Sequence, residues 1–173
     1  DFGFITNSKP ERDSTSFYGQ GTWNHSDSLR TVFGLRHTKD EVYSAVTNFY
    51  GRSGTDILET DGNKVTGRLV VEKDIDDNTM VYGSFTRGYK PGGSNLTYGR
   101  EDEVAQIVVL PTFQEEIVDA FEIGLKTDLA DGRARLNAAA FLYNYEGLQY
   151  QATDPEVFEG GVGNIPDSEI YGA

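Results

Sequence analysis

Residues 14–37 read STSFYGQGTWN-HSDS-LRTVFGLRH, two runs that alternate in character on either side of a short polar break. In the first run Thr15, Phe17, Gly19, Gly21 and Trp23 fall on one side, and Ser16, Tyr18, Gln20, Thr22 and Asn24 on the other. In the second, Leu29, Thr31, Phe33 and Leu35 oppose Arg30, Val32, Gly34 and Arg36. A period of two places successive side chains on opposite faces of a β-strand. His25-Ser26-Asp27-Ser28 has the residue types of a tight turn. The stretch is predicted to be an antiparallel hairpin.

Working outward, the same design recurs. Lys64–Asp74 and Thr79–Tyr89 flank Ile75-Asp76-Asp77-Asn78, and Val118–Asp128 and Arg133–Tyr150 flank Ala130-Asp131-Gly132. Asp-Gly between alternating runs is a strong hairpin signal. A seventh strand is expected from about Asn164. The chain therefore reads as all-β, an antiparallel meander of about seven strands forming one domain over residues 1–173. Asp1–Asp13 reads as loop, because Pro10 lies in the charged run Lys9-Pro10-Glu11-Arg12-Asp13.

The connections carry the next step. Those at 25–28, 75–78 and 130–132 are short, whereas 38–63, 90–117 and 151–163 are long, and the two kinds alternate. In a meander, alternate connections lie at opposite ends, so short turns gather at one rim and long loops at the other. That asymmetry belongs to outer-membrane β-barrels, with short periplasmic turns and long extracellular loops. An even strand number closes such a barrel, so seven strands read as part of a larger one. One side of each strand is apolar; the other carries Arg36, Arg68, Glu72, Glu122 and Lys126, a set suited to a polar lumen. Trp23, Tyr82, Tyr89, Tyr143 and Tyr145 stand near strand ends, where interfacial aromatic girdles belong or where sheets simply favour aromatics. For residues 133–150 either side could meet lipid.

Composition narrows the function classes. Fifteen Lys plus Arg against 28 Asp plus Glu leave a net charge of −13 over 173 residues, and there is no cysteine. A chain so acidic has no broad cationic surface for nucleic acid or anionic lipid headgroups. Disulfides, thiolate metal sites and cysteine nucleophiles are excluded. Aromatic content of 12% argues against disorder. No apolar run approaches the roughly 20 residues of a transmembrane helix.

Several separated motifs together resemble consecutive barrel segments of TonB-dependent outer-membrane receptors. They are Phe17-Tyr18-Gly19-Gln20, Gly34-Leu35-Arg36-His37-Thr38, the run Val81–Asn95 (VYGSFTRGYKPGGSN), and Glu116–Leu129 (EIVDAFEIGLKTDL) continuing through Asp131-Gly132-Arg133 to Leu136–Phe141 and Tyr145. Gly163-Asn164 and Glu169-Ile170-Tyr171-Gly172 resemble the next strand in weaker form. The resemblance implies a 22-stranded barrel in the outer membrane of a Gram-negative cell, closed by an N-terminal plug domain and energised by an inner-membrane TonB partner. Its cargo would be a ferric siderophore, cobalamin, haem or glycan. This chain would supply a middle-to-late section of the wall, with the plug and the TonB-binding segment outside it. A small closed outer-membrane barrel acting as adhesin or structural protein, and a soluble β-sandwich binding module, are the alternatives.

No catalytic, metal or cofactor site is expected. Asp74-Ile75-Asp76-Asp77-Asn78 opens like a calcium loop but has Thr79 at position six and Phe85 at position twelve. Glu101-Asp102-Glu103 reads as a solvated charge run. His25 and His37 lack a nucleophile partner, and Ser84 lacks the Gly-x-Ser-x-Gly setting. Gly92-Gly93 and Gly160-Gly161-Val162-Gly163 precede no helix pattern and read as flexible loop rather than phosphate cradles. Cargo contact is assigned to the long loop and its base, where Tyr89, Lys90, Asn95 and Tyr98 either stack on and hydrogen-bond a catechol, sugar or porphyrin or order the loop itself. The five lumen-side residues are assigned to cross-strand ion pairs, plug contact or, as a lesser reading, cargo.

Overall fold

The computed structural model describes residues 7–47, 55–95, 112–154 and 159–173. Its strands are β1 (Asn7–Ser26), β2 (Leu29–Thr47), β3 (Thr55–Asp76), β4 (Thr79–Lys90), β5 (Gly93–Ser94), β6 (Thr112–Phe113), β7 (Glu116–Leu129), β8 (Ala134–Asp154) and β9 (Glu159–Gly172). Seven of them make one antiparallel sheet in the order β1-β2-β3-β4-β7-β8-β9, while β5 and β6 pair with each other inside the β4–β7 connection. The expected all-β meander of seven strands is present.

Register explains the two faces. Gly21, Phe33, Leu69, Phe85, Phe121, Leu142 and Tyr171 are successive cross-strand partners, one row across all seven strands. Phe33 covers Gly21, and the Phe85 and Phe121 rings meet at 5.0 Å between centroids. Phe17, Trp23, Leu35 and Ile123 share this face and are exposed, whereas Val70 is the one fully buried hydrophobic side chain among the described residues. Apolar groups turned outward with almost no apolar interior fit a wall whose solvent is lipid. The open question over residues 133–150 is settled by pairing: Leu136, Ala138, Ala140 and Leu142 join Thr127, Leu125, Ile123 and Phe121 on the apolar face.

The strands outrun the sequence reading. Residues 38–63 were expected as a loop, but β2 continues to Thr47 and β3 begins at Thr55, paired residue by residue from Thr38↔Lys64 to Thr47↔Thr55. Just beyond the apolar band, Lys39-Asp40-Glu41 and Asp61-Gly62-Asn63 put no apolar side chain on either face, so the alternation of hydrophobicity is broken although the hydrogen-bond ladder goes on. Asp1–Asp13, read as loop, likewise contains β1 from Asn7, with Pro10 opposite Ser44. β1 has one strand neighbour among the described residues, and an edge position tolerates the N–H that proline lacks. β8 reaches Asp154 and β9 starts at Glu159, earlier than the expected Asn164.

At the short-turn rim the first two hairpins share one build. Each has a register shift, at Asn24/Ser26 and Asp74/Asp76, followed by a two-residue turn, Asp27-Ser28 or Asp77-Asn78. A bulge of this kind adds local twist, which helps a sheet curl. In the third, Ala130, Asp131 and Gly132 all take positive φ (54°, 57° and 79°).

Candidate functional site

The polar face of the sheet is the candidate site, and its lower wall is a lattice of side chains set by register. Arg30 and Glu72 are cross-strand partners, and the Arg30 guanidinium donates to Glu72 Oε2 at 2.5 Å and to Asp74 Oδ2 at 2.9 Å. Tyr82 faces Gly124, where a Cβ would collide with the ring; its hydroxyl donates to Glu122 Oε1 at 2.6 Å. The Lys126 ammonium stands 5.4 Å from the Tyr82 ring centroid, within cation–π range. Glu122, Gly124 and Lys126, two residues apart on β7, thus bracket one aromatic ring. Near the short-turn rim this face opens into a cavity of about 940 Å³, whose lining includes Arg30, Lys73, Met80 and Lys126.

Arg36 and Arg68 differ from these. Pairings Arg36↔Thr66 and Gly34↔Arg68 make them diagonal neighbours on β2 and β3. Arg36 donates to Ser16 Oγ at 2.6 Å and Thr38 Oγ1 at 3.1 Å, both neutral acceptors. Arg68 is exposed, and neither arginine has an ion pair among the described residues. The wall therefore carries two neighbouring uncompensated cations in a strongly acidic chain.

Above the apolar band lies a buried polar knot. Asp40 is 1% exposed and accepts from Arg12 Nη2 at 2.9 Å. Burial pushes its carboxyl upward, but hydrogen bonding and charge from Arg12, with Ser14 and Tyr89, outweigh that and hold it below the ordinary value. Tyr89 packs onto Gly62, the cross-strand partner of Asp40. Its phenol is pushed up to about 12, by burial first and then by the carboxylates of Asp40 and Glu115. Asp40 Oδ2, Tyr89 Oη and Thr60 Oγ1 are all buried without a well-aligned hydrogen bond.

The ends of the β4–β7 connection then cross this face as a strap. Ser94 Oγ donates to the fully buried Ser44 in β2 at 2.6 Å. The Asn95 amide donates to Val162 O at 2.9 Å and accepts from Val162 N at 2.8 Å in β9. Asn164 accepts from Gln114 N at 2.8 Å, and Gln149 Nε2 donates to Pro91 O and Gln114 O, both at 2.9 Å. Gly92 and Gly93 belong to this ordered strap, not to a flexible loop: added side chains would strike the Phe113 carbonyl and ring. Gly160, Gly161 and Gly163 lie in β9.

Of the loop candidates, Tyr89 sits in the knot, Lys90 is exposed at the end of β4, and Asn95 is 4% exposed with its amide on Val162. Tyr98 lies outside the described residues. Arg36, Arg68, Glu72, Glu122 and Lys126 share the polar face. Sequence reading gave no site role to Arg12, Asp40, Ser44, Gly62, Gln149 or Asn164. The one available signal was the β-branched alternation of Val42 with polar neighbours within 38–47, too weak alone to mark a strand.

Comparison with known proteins matches this architecture. A chain of the ferric yersiniabactin uptake receptor FyuA from Yersinia pestis aligns over 95% of the present chain with a TM-score of 0.69 at 20% identity. The siderophore receptor PiuA from Acinetobacter baumannii aligns over 94% at 0.68 and 22% identity, and the alcaligin outer-membrane receptor FauA from Bordetella pertussis over 95% at 0.58 and 17%. The chain spans 22–26% of the length of those three structures, a section of their fold. The model of the TonB-dependent receptor-like β-barrel family matches residues 2–173, and the chain belongs to that family of outer-membrane receptors.

Proposed function

We propose that this chain is a section of the barrel wall of an outer-membrane receptor that imports a ferric siderophore or similarly scarce, large nutrient into a Gram-negative cell. In this reading a plug domain outside the chain fills the lumen, and an inner-membrane TonB complex supplies the energy. In this reading the chain is transport machinery and no residue of it is assigned a catalytic role. The observation that carries the reading is the two-faced wall: an apolar band on one side, and on the other a polar lattice with two uncompensated arginines, Arg36 and Arg68. A lumen wall of that kind receives anionic groups, whether carboxylates of the plug or the acidic chelating groups of a ferric cargo. Siderophores are the favoured class because the aligned structures include a siderophore receptor and a ferric yersiniabactin uptake receptor.

The test is uptake by the full-length receptor. Cells lacking their own siderophore are given iron-55 chelated by a hydroxamate or a catecholate, with and without the receptor gene and with and without a functional TonB. Uptake that needs both genes is the expected result. A receptor that assembles in the outer membrane yet supports uptake of neither chelate would overturn the siderophore assignment.

A further inference from the structure

Ser94 and Asn95 are consecutive residues, yet one is bonded to β2 and the other to β9. Those strands are five steps apart in the sheet order. At about 4.8 Å per step a flat sheet would hold them roughly 24 Å apart, beyond the reach of two adjacent side chains. The wall must curl around the strap, and the strap must run as a chord across the hollow side.

Its attachments are numerous and, with one exception, neutral. Asn95 makes two bonds to the backbone of Val162, reproducing with a side-chain amide the pattern of a paired strand. On the return arm Asn164 bonds Gln114 and, through Nδ2, Gly147 O at 2.7 Å. Gly147 has φ +67°, and a Cβ there would lie 2.5 Å from Glu115 O, so the arm rests directly on β8 backbone. Lys64 adds an ion pair from β3 to Glu115. Apart from that pair, the anchors are neutral amides and hydroxyls, which neither salt screening nor a change of pH within the physiological range would release. Ser44 and Asn95 are both buried beneath the contact.

We propose that residues 91–95 and 112–115 are a fixed cross-brace over the lumen, seated on the wall throughout uptake, and that the brace bounds the passage open to cargo. Ser44, Asn95 and Asn164 are its positioning residues. The part of this inference that concerns passage rests on the importer reading; the seating of the brace does not.

Residues 1–173 contain no cysteine, so in a full-length receptor whose cysteines outside this section are replaced by serine, a pair introduced as Ser44→Cys with Ser94→Cys reports on itself alone. The native Oγ–Oγ separation of 2.6 Å places the two Cβ atoms near the span of a disulfide. In isolated outer membranes without cargo the pair should close under mild oxidant, whereas either single variant should not. Failure of the double variant to close, in a receptor that still shows heat-modifiable gel migration, would overturn the brace. With the two labelled chelates named above, oxidised and reduced receptor should import within about twofold of one another, since a static part sets no conformational step. Uptake that collapses on oxidation and returns with reductant would show instead that the strap must lift. As a second variant, Asn95→Leu releases the β9 end; it should fold and admit a bulkier catecholate relative to the hydroxamate, and an unchanged ratio would remove the passage-bounding role. If the unmodified receptor imports neither chelate, the importer reading fails, while the cross-link yield still decides the seating.

Discussion

The hydroxyl of Tyr89 occupies the space into which any side chain on Gly62 would grow. The two residues come from different elements of the half opposite the short turns: Gly62 from the extended β2–β3 hairpin, Tyr89 from the point where β4 gives way to the strap. Gly62→Ala should therefore displace Tyr89 and destabilise this region by about 1–3 kcal/mol, the usual cost of overpacking. Adding Tyr89→Phe, which removes the clashing oxygen, should recover part of the loss. Protease cleavage within residues 38–63 of the membrane-embedded receptor reads both effects; equal cleavage of wild type and Gly62→Ala would contradict the packing.

A parallel dependence holds lower on the wall. Gly124→Ala should push the Tyr82 ring off β7, breaking its bond to Glu122 and its contact with Lys126, again at about 1–3 kcal/mol. Tyr82→Ala should then make the alanine at 124 nearly silent, because the two changes share one site. The expected readout is a lower temperature for loss of the heat-modifiable gel form in the single glycine variant, and additive losses in the double variant would refute the coupling.

The Asp40 knot gives pH dependence at both extremes. A carboxyl held below its ordinary value stabilises the fold above about pH 4 and loses that contribution as pH falls through the folded value. Asp40→Asn should cost on the order of 1 kcal/mol near neutrality, kept small because Arg12 is half exposed. Wild type and variant should converge in acid, judged by hydrogen exchange of residues 38–47 and 55–63. Tyr89 has the opposite sign: its folded value is raised to about 12, so its contribution is full below about pH 10 and is lost as pH rises through about 12. In alkaline difference spectra Tyr89→Phe should remove one late-ionising step.

The third short turn holds Ala130 at φ 54°, where a Cβ is crowded. Ala130→Gly should relieve that strain and stabilise the β7–β8 hairpin by about 0.5–1 kcal/mol after the added chain entropy is counted. Gly132→Ala, at φ 79°, should destabilise it by a similar amount. Denaturant midpoints for refolding into lipid vesicles give both signs; a loss of stability on Ala130→Gly would exclude the left-handed turn.

What the sequence determined alone was whatever depends on contrast between neighbouring residues. Where one face is apolar and the other polar, as at Ile123 beside Glu122 or at Leu125 beside Lys126, alternation marks the strand and its two faces. The turns at Asp27-Ser28, Asp77-Asn78 and Asp131-Gly132 announce themselves in the same local way, and with them the meander. Tertiary structure decided everything that depends on partners remote in the chain. Lys39-Asp40-Glu41 and Asp61-Gly62-Asn63 look like loop because both faces there are polar, yet the ladder between them continues and buries Asp40. Gly92-Gly93 looks flexible until Phe113 lies against it, and Asn95 looks like a free loop amide until β9 curls round to meet it. Pairing and curling of a sheet bring together residues that no spacing rule connects, because the hydrogen bonds that fix register act between strands and not along them.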